Sequence, residues 1–409
     1  GVLDADVAVD LVEHGQRLDV IGRVKVSDVE LYHESLTRDP VPFTSLEADV
    51  DLAIDLQQRL LVSAASRLLV NRIPLQLDGE VDLGRGPPLV RLELNTGPLA
   101  AADLSASVPQ ALTPRLKLAG LEGTASFQAL LVLDMARPEE LKLRIEPDVS
   151  RLTVASLGTG LEMAHLSRPF LHSWEDEERQ ELYQMETGPG AEGWTALAEV
   201  PPILRTAILA QEDGGFQGHK GFSMLHIKGS LIRNLQVGRF ARGASTISMQ
   251  LARNLFLGRE KLISRKLQEV ILTWRLEQEL EKDQIFELYL NVIEWGVGVF
   301  GIRAAAEHYF GKAPSQLSVA ECLFLSTAVP RPRAVDRHFL AGKRVSRYHE
   351  STIRFMLQLL RQRGHLDDAV HQQALAEVLQ LSDPATATSL PNLWETVPHR
   401  QGSHQVAPK

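Results

Sequence analysis

The chain has 409 residues, 44 % of them hydrophobic and 23 % charged, which is typical of a globular protein with two or three domains. Its single cysteine, Cys322, excludes an internal disulfide and a cysteine-rich metal site, and its apolar neighbours favour a buried thiol. The net charge of −9 is uneven, since residues 1–200 carry −16 and residues 201–409 carry +7. This asymmetry indicates separate domains with different partners.

The basic half suits an anionic ligand or an anionic membrane surface. Nucleic acid is disfavoured, because the cations are dispersed among apolar helices rather than gathered with aromatic residues. No apolar run reaches the roughly 18–20 residues that span a bilayer. No signal peptide is visible and the chain begins with Gly1, so we expect a membrane anchor upstream of this residue.

Residues 1–172 are predicted to be β-rich. Apolar and polar residues alternate in runs such as RLDVIGRVKVSDVELY and SLEADVDLAIDL, which is the period of half-buried strands. Turns are predicted at Gly15, Asp39-Pro40, Asp78-Gly79 and Gly84 to Pro88. We expect an extended, curved sheet or a sandwich. No catalytic cluster is visible here, so we interpret it as a separate structural or interaction module that takes no part in the chemistry.

Residues 173–200 are predicted to be an acidic connector, and from Pro201 the pattern becomes helical. One helix should end before Gly214-Gly215, and Ser318 with Glu321 should form a capping box. We expect a mainly α-helical domain over 201–382, with two further helices between residues 340 and 381. Residues 383–409 are predicted to be a loose tail. The fold class is therefore α+β with several domains.

The run LKLAGLEGTASFQALLVLD at residues 116–134 is followed by further β-type segments. This pattern resembles the periplasmic AsmA-like repeat proteins over residues 1–165. The resemblance implies a β-groove that handles lipid.

Glu212 stands at the predicted end of a helix, beside Asp213. The partial negative charge of a helix C-terminus and the adjacent carboxylate should both raise the pKa of Glu212 towards the range of a general base. Taken alone, the same residues also fit a solvated acidic turn.

A Gly-X-Ser-Thr turn follows and leads into another helix, where hydroxyl and backbone N–H groups favour anions. Arg242 and Arg253 could make forked contacts to phosphate oxygens. The alternative is an ordinary helix N-cap formed by Ser245. Further along, Arg265 and Glu269 lie on one helix face and, taken alone, could be a solvated ion pair.

Together these segments resemble the ordered motifs of the family 51 glycosyltransferases, the peptidoglycan glycosyltransferases, and most closely their monofunctional branch. No Ser-x-x-Lys transpeptidase signature follows. Met249 replaces a usual glutamine and Arg253 a usual lysine. The matching residues are Glu212-Asp213, Phe216, His219 and Gly221 for the first motif; Gly243 to Ile247, Gln250 and Asn254 for the second; Arg265-Lys266 and Glu269 for the third; Tyr289 to Asn291 and Gly296 for the fourth; and Tyr309-Phe310, Lys312 and Glu321 for the fifth.

The resemblance implies a lysozyme-like helical fold and lipid II as substrate, with Glu212 as general base, inversion at the anomeric carbon and release of undecaprenyl diphosphate. Glu212 and Glu269 are the implied catalytic residues. A divalent cation, Mg or Mn, could assist, and no organic cofactor is expected. The implied substrate contacts are Asp213, Phe216, His219, Arg233, Arg242, Gly243, Ser245, Thr246, Gln250, Arg253, Asn254, Arg265 and Lys266.

The resemblance also implies a place on the periplasmic face of the bacterial inner membrane, with the growing glycan strand and cell-wall synthesis proteins as partners. Residues 222–240, which alternate apolar and basic side chains, fit a helix at an anionic lipid interface.

Two alternatives stay open. A lysozyme-like lytic enzyme also uses a glutamate, but it needs an acid for a sugar leaving group, whereas a diphosphate leaves unaided and needs cations. A catalytically retired domain that binds lipid or a partner is the second alternative. The retention of Glu212 and Glu269 argues against it.

Overall fold

The computed structural model describes residues 1–158, 160–176, 181–258, 260, 262–339, 347–377 and 395–397. The chain divides into two compact units. Unit 1 comprises Gly1–Glu162, Ser223–Ser245 and Glu260–Ile271, and unit 2 comprises Met163–Phe222, Thr246–Arg259 and Leu272–Lys409. This division differs from the sequence-based one, because two segments predicted to lie in the helical domain belong with the β-rich segment.

The described strands are β1 (Val2–Val12), β2 (Arg17–Leu31), β3 (Val41–Asp55), β4 (Leu60–Val70), β5 (Ile73–Asp82), β6 (Leu89–Asn95), β7 (Leu99–Ala100), β8 (Leu121–Asp134), β9 (Lys142–Val154), β10 (Phe170–Asp176), β11 (Glu181–Thr187), β12 (Glu294–Gly296), β13 (Val299–Phe300) and β14 (Glu395–Val397).

The described helices are α1 (Ala101–Ser107), α2 (Pro202–Glu212), α3 (Met224–Val237), α4 (Ile247–Phe256), α5 (Ile263–Glu279), α6 (Lys282–Val292), α7 (Ile302–Phe310), α8 (Val319–Ala328), α9 (Pro332–Phe339), α10 (Arg347–Gln362) and α11 (Asp368–Ala376). Among the residues with a described position, no helix is both long and apolar enough to cross a bilayer.

In unit 1, one nine-stranded antiparallel sheet contains all the strands from β1 to β9. Its order is β1-β2-β3-β4-β5-β6-β8, and β9 pairs with the other side of β8. The predicted turns at Gly15, at Asp39-Pro40 and at Gly84 to Pro88 lie between consecutive strands. The predicted turn at Asp78-Gly79 is wrong, since both residues lie inside β5. The chain turns instead at Asn71, whose φ of 53° is left-handed.

The sheet has one apolar side. Residues that face each other across an antiparallel pair lie on the same side, so the strand register fixes the composition of each face. We call one side the apolar face. On seven strands it is formed by alternate residues, those of Leu3–Leu11 on β1, Leu18–Val26 on β2, Leu46–Ile54 on β3, Ile73–Val81 on β5, Val90–Leu94 on β6, Ala129–Leu133 on β8 and Leu143–Ile145 on β9. On β4, where the register shifts, it is formed by Leu61, Ser63, Ser66, Leu68 and Val70.

The opposite side of the sheet is charged, and cross-strand ion pairs such as Arg23–Asp49 and Lys25–Glu47, both at 2.6 Å, lie on it. The period-two alternation of the sequence is therefore confirmed as one apolar and one charged face.

Backbone hydrogen bonds attach α5 to the sheet of unit 1. The connection between β2 and β3 accepts them, from the Ile263 N–H to the Ser35 oxygen at 2.9 Å and from the Ser264 N–H to the Leu36 oxygen at 3.0 Å. The side chain of Gln268 accepts a third, from the Arg115 N–H, at 2.9 Å. These bonds explain why the first half of α5 belongs to unit 1.

Unit 2 is mainly helical, and its core is formed by large buried side chains that include Trp295, Tyr289, Tyr309, Phe216 and Phe324. Helix α2 packs on α8, and α4 packs on α6. The predicted capping box begins α8, with Ser318 and Glu321 exchanging hydrogen bonds of 3.2 and 2.8 Å. A β-rich N-terminal region followed by a mainly helical region was predicted, and this is confirmed.

The prediction that residues 173–200 form an acidic connector is wrong for the part that β10 and β11 occupy. Strands β10 and β11 pair antiparallel from Phe170↔Thr187 to Asp176↔Glu181. Buried His172, Tyr183 and Met185 belong to these strands. The high content of acidic residues favoured a connector, although buried side chains alternate with more exposed ones along both strands.

The two helices predicted near residues 340–381 are present as α10 and α11. The tail predicted for 383–409 lies outside the described residues, except for β14, which pairs with β11. Cys322 is buried as predicted, and burial raises its pKa to about 12.

Candidate active site

Glu212 is the last residue of α2, a helix that begins with Pro202 in its first turn, where a missing N–H costs little. Asp213 leaves the helical conformation with φ −159° and ψ 72°, and its N–H still bonds the Leu209 oxygen at 2.9 Å. The helix therefore ends where the sequence predicted, and the two carboxylates stand at its C-terminus.

The Glu212 carboxylate accepts a hydrogen bond from Gln250 Nε2 at 2.8 Å. Gln250 in turn accepts one from the Tyr289 hydroxyl at 3.2 Å. The pKa of Glu212 is raised, chiefly by burial, while Gln250 and the positive charge of Arg253 oppose the increase and Asp213 adds a smaller one. The expected direction of the pKa shift is thus found, but desolvation rather than Asp213 dominates it.

Asp213 is fully buried and its oxygens are occupied. His219 Nε2 lies 3.0 Å from both oxygens, and the Ile247 N–H donates to Oδ2 at 3.1 Å. Asp213 therefore joins the end of α2 to the start of α4. It also fills the anion site that the sequence predicted at the N-terminus of α4.

The N-cap of α4 is Thr246, whose hydroxyl accepts from the Met249 N–H at 3.2 Å. The Thr246 hydroxyl also donates to the Gly221 oxygen at 2.6 Å. The alternative that Ser245 caps this helix is wrong. The Asn254 side chain bonds the Gln250 oxygen at 2.9 Å, and the Met249 side chain is buried.

Phe216 and Gly221 shape the loop after Glu212. Phe216 is buried, and the Lys282 ammonium lies 4.3 Å from its ring centroid, at cation–π distance. Gly221 has φ +87°, and a Cβ there would lie 2.8 Å from Thr273 Cγ2. Both the left-handed conformation and the close contact require glycine.

A second cluster lies in unit 1. Glu269 is fully buried on α5, and its two oxygens accept from Arg265 Nη1 at 2.8 Å and from Lys266 Nζ at 2.6 Å. Lys266 also bonds the Ser245 hydroxyl at 3.0 Å, and Arg265 Nε bonds the Glu260 carbonyl oxygen. This is not the solvated surface pair that the spacing alone allowed, because the carboxylate is desolvated between two cations.

The loop that carries Arg242 and Gly243 also belongs to unit 1. Asn234 Oδ1 accepts from the Arg242 N–H at 2.9 Å and Ser230 donates to the Gly243 oxygen at 2.6 Å. The side chains of Arg242 and of Arg233 on α3 are exposed. The predicted cations therefore lie where an anionic ligand could reach them.

The sequence missed several supporting residues. Glu277 is a buried carboxylate that accepts from Ser248 and, at 2.7 Å, from Lys282. Tyr289 was assigned only to a motif, and Ser230 and Asn234 were not singled out at all. Apart from Lys282, which is five residues from Glu277, their partners lie far away along the chain or are backbone groups, so spacing gives little signal for them.

Of the predicted site residues, unit 2 brings together Glu212, Asp213, Phe216, His219, Thr246, Gln250, Arg253 and Asn254, and unit 1 brings together Ser245, Arg265, Lys266 and Glu269. Within the described parts of the chain, no three His, Cys, Asp or Glu side chains could hold a metal ion. Glu269 is already paired with two cations, so these residues do not fit a protein-held divalent cation.

The comparisons agree with the motifs. The transglycosylase family model matches residues 178–355. The biosynthetic peptidoglycan transglycosylase of Methylobacillus flagellatus is 45 % identical over 145 residues, which is 36 % of this chain and 63 % of the relative. That of Herminiimonas arsenicoxydans is 43 % identical over 145 residues, with the same coverage of each chain, 36 % and 63 %. The match begins after the region that resembles the AsmA-like proteins, so that resemblance stays a prediction.

A crystal structure of penicillin-binding protein 1A from Haemophilus influenzae aligns over 53 % of this chain and 22 % of its own, with 20 % identity and a TM-score of 0.26. That score is too low to support a structural argument.

The chain spans less than two thirds of the first relatives, but it covers 76 % of the biosynthetic peptidoglycan transglycosylase of Laribacter hongkongensis, with 43 % identity over 175 residues, or 42 % of this chain. The chain therefore belongs to the transglycosylase family.

Proposed function

We propose that this protein is a peptidoglycan glycosyltransferase that polymerises lipid II into glycan strands and releases undecaprenyl diphosphate. The observation that carries the proposal is Glu212, a desolvated carboxylate at the end of α2 with a raised pKa, held by Gln250 beside the charge of Arg253. A general base works best with a pKa near the working pH, and burial moves Glu212 in that direction.

In the proposed step, Glu212 accepts the proton of the 4-hydroxyl group of an incoming lipid II. The hydroxyl oxygen forms a bond to the anomeric carbon of the growing strand. The bond from this carbon to the diphosphate breaks on the opposite side, so the configuration inverts and the diphosphate leaves with the electron pair. The proton on Glu212 then passes to solvent.

The cations would neutralise the diphosphate. Exposed Arg242 and Arg233 can approach phosphate oxygens directly, and Arg253 adds charge close to Glu212. Glu269 was expected to be catalytic. Because both of its oxygens are bound by Arg265 and Lys266, we assign it to holding these cations in place. No step is assigned to a divalent cation.

We also propose that α3 lies at the surface of the bacterial inner membrane, on its periplasmic face. Leu225, which is 78 % exposed, lies within α3 together with Lys228 and Arg233, and Phe240, which is 83 % exposed, follows the end of the helix together with Arg239. Large apolar side chains beside cations favour an anionic lipid interface. Cell-wall synthesis proteins are the partners that we expect there.

A lytic enzyme is less well supported. Glycoside hydrolysis ordinarily uses a second carboxylate as base or nucleophile. The adjacent carboxylate, Asp213, is buried and bonded to His219 and to the Ile247 N–H, so it cannot take that role. The exposed cations have no task with a sugar leaving group, whereas a diphosphate requires them.

One assay tests the proposal against both alternatives. The protein is incubated in detergent with labelled lipid II and, separately, with labelled preformed glycan. Polymer from lipid II supports the proposal. Fragments from glycan would favour the lytic enzyme, and no product from either substrate would favour a retired domain.

A further inference from the structure

The apolar face of the unit 1 sheet is large and incompletely covered. Nearly all of its side chains are part-exposed or exposed, from Leu3 and Leu11 on the edge strand to Leu92 on β6, and Ser63 on β4 and Leu133 on β8 are buried exceptions. Eight strands at about 4.8 Å spacing make the face roughly 34 Å wide. An aliphatic surface of this size far exceeds the patches that an ordinary monomer exposes, so it indicates a binding surface.

We propose that the apolar face binds the polyprenyl chain of the lipid diphosphate that the enzyme uses. The inference rests on the proposed function and adds a site to it. The face takes the hydrocarbon chain, and the cations of the same unit take the diphosphate.

The composition of the face favours a hydrocarbon occupant over a protein. Within the bounds given above its side chains are aliphatic, with two serines and two glycines; the same side of the sheet continues beyond those bounds to the aromatic Phe127 on β8 and the acidic Glu30 near the end of β2. Protein interfaces derive most of their energy from Trp, Tyr and Arg and are enriched in Phe and Met. A surface of Val, Leu, Ile and Ala offers dispersion contacts without such anchors, which is what a polyprenyl chain requires.

The twist of the sheet also disfavours a second copy of the chain. Neighbouring strands rotate by roughly 20° each, so the last of eight strands is turned by about 140° from the first. A second sheet of the same kind packs over only part of such a surface. A flexible hydrocarbon chain can follow the twist along its whole length.

Charge complementarity points to a lipid with an anionic head. The part of α5 that carries Arg265 and Lys266 is hydrogen-bonded to the β2–β3 connection through the Ser35 and Leu36 oxygens, and both belong to unit 1. The Lys266 ammonium remains part-exposed. The unit therefore combines cations for a diphosphate with an aliphatic surface for its chain.

The charged side of the sheet argues against insertion of the sheet into the membrane itself. Residues 1–200 carry −16, and an anionic bilayer surface repels such a charge. We therefore assign the apolar face to single lipid molecules.

Photo-cross-linking tests the inference on the full chain in detergent. The probe is a polyprenyl diphosphate with a photoreactive group at the far end of its chain. We expect cross-links at the apolar face, on peptides from β2 to β6, when the sites are mapped by mass spectrometry. Cross-links confined to α3, or spread evenly over the protein, would overturn the inference.

Two neighbouring residues of β2 provide matched variants. Val20 lies on the apolar face and Ile21, which is exposed, on the charged side. Val20→Asn should weaken probe binding about tenfold, because an amide in an apolar contact costs at least that factor. Ile21→Asn should leave binding unchanged. Equal effects of both, with unchanged thermal unfolding, would contradict the assignment.

Other occupants give different results. A phospholipid with the same photoreactive group that labels the face equally well would show a general acyl-chain site instead of a polyprenyl site. A dimer in sedimentation that Val20→Asn dissociates would show that a second copy covers the face. If the wild-type protein fails to polymerise lipid II, the proposed function fails, while the position of the cross-links still reports on the face.

Discussion

Gln250 Nε2 donates a hydrogen bond of 2.8 Å to Glu212 Oε2, which links the second motif of the sequence to the carboxylate of the first. The bond stabilises the ionised form of a buried acid, so it opposes the desolvation that raises the pKa of Glu212. Gln250 is itself oriented by the Tyr289 hydroxyl. The hydrogen bonds from Tyr289 to Gln250 and from Gln250 to Glu212 therefore limit how far burial raises the pKa of the proposed base.

Replacement of Glu212 by glutamine should abolish lipid II polymerisation, with a loss of about 10²-fold or more. The same variant should be at least as stable as the wild type at pH 7.5. A carboxyl with a raised pKa favours folding only when protonated, so this contribution is lost as pH rises through the raised pKa. The advantage of the variant should shrink on acidification. Urea unfolding at both pH values and polymer yield check this, and near-normal polymer yield would contradict the role of Glu212.

Loss of the Gln250 side-chain amide should move the pH profile. Gln250→Leu removes the bond that lowers the pKa of Glu212, so the acidic limb of turnover should shift to higher pH. Tyr289→Phe is the matched control, because it removes only the donor to Gln250 and should shift the limb less. Lower activity with an unmoved limb in Gln250→Leu would mean that Gln250 acts only in packing.

Turnover should depend on the positive charge of the side chain at position 253 more than on its shape. Arg253→Ala removes a charge that lowers the pKa of Glu212. Turnover should therefore fall strongly, and the acidic limb of its pH profile should move to higher pH. Arg253→Lys keeps the charge and restores the residue expected from the motif, so it should be tolerated. Steady-state turnover of both variants across pH provides the measurement. Equal damage in the two would show that the guanidinium geometry is required.

Substitutions of Glu269 and of Arg242 should both lower turnover, but only the substitution of Glu269 should also lower the stability of the fold. Glu269→Gln removes a buried negative charge between Arg265 and Lys266, so both turnover and the free energy of unfolding should fall, the latter by about 3 kcal/mol. Arg242→Ala changes an exposed side chain, so turnover should fall with thermal unfolding unchanged. A stable Glu269→Gln variant would mean that the cations do not depend on this carboxylate.

The sequence predicted two helix ends in the helical domain because their signals are local. The end of α2 follows from Gly214-Gly215, and the cap of α8 follows from Ser318 and Glu321, three residues apart. Features with distant or backbone partners were not visible. Examples are the bond of the Ile247 N–H to Asp213 and the attachment of α5 to the β2–β3 connection.

The acidic charge of residues 173–200 led to the incorrect connector, although His172, Trp174, Tyr183 and Met185 do alternate. His172 leads to a prediction about the dependence of stability on pH. Burial lowers its pKa from 6.5 to about 4, so it stays neutral in the folded protein while the unfolded chain binds a proton. The stability that is present above pH 6.5 is therefore lost as pH falls towards 4, by about 3 kcal/mol.

His172→Gln, which has no charge at any pH, isolates this effect. Urea unfolding at pH 7 and pH 4 should show that the variant gains about 3 kcal/mol relative to the wild type on acidification. Parallel losses in the two proteins would show that other groups dominate the acid sensitivity.

Removal of residues 1–162 tests the expectation that the β-rich segment is separable. The structure argues against it, because α5 loses the Ser35 and Leu36 oxygens that accept its first N–H groups, and buried Gln268 loses the Arg115 N–H. We expect the fragment beginning at Met163 to be poorly soluble, or folded with little polymerisation of lipid II in detergent. Full-length protein in the same detergent is the reference for circular dichroism and polymer yield. A folded fragment with full activity would show instead that unit 2 and the short segments around Arg242 and Glu269 need no support from the sheet.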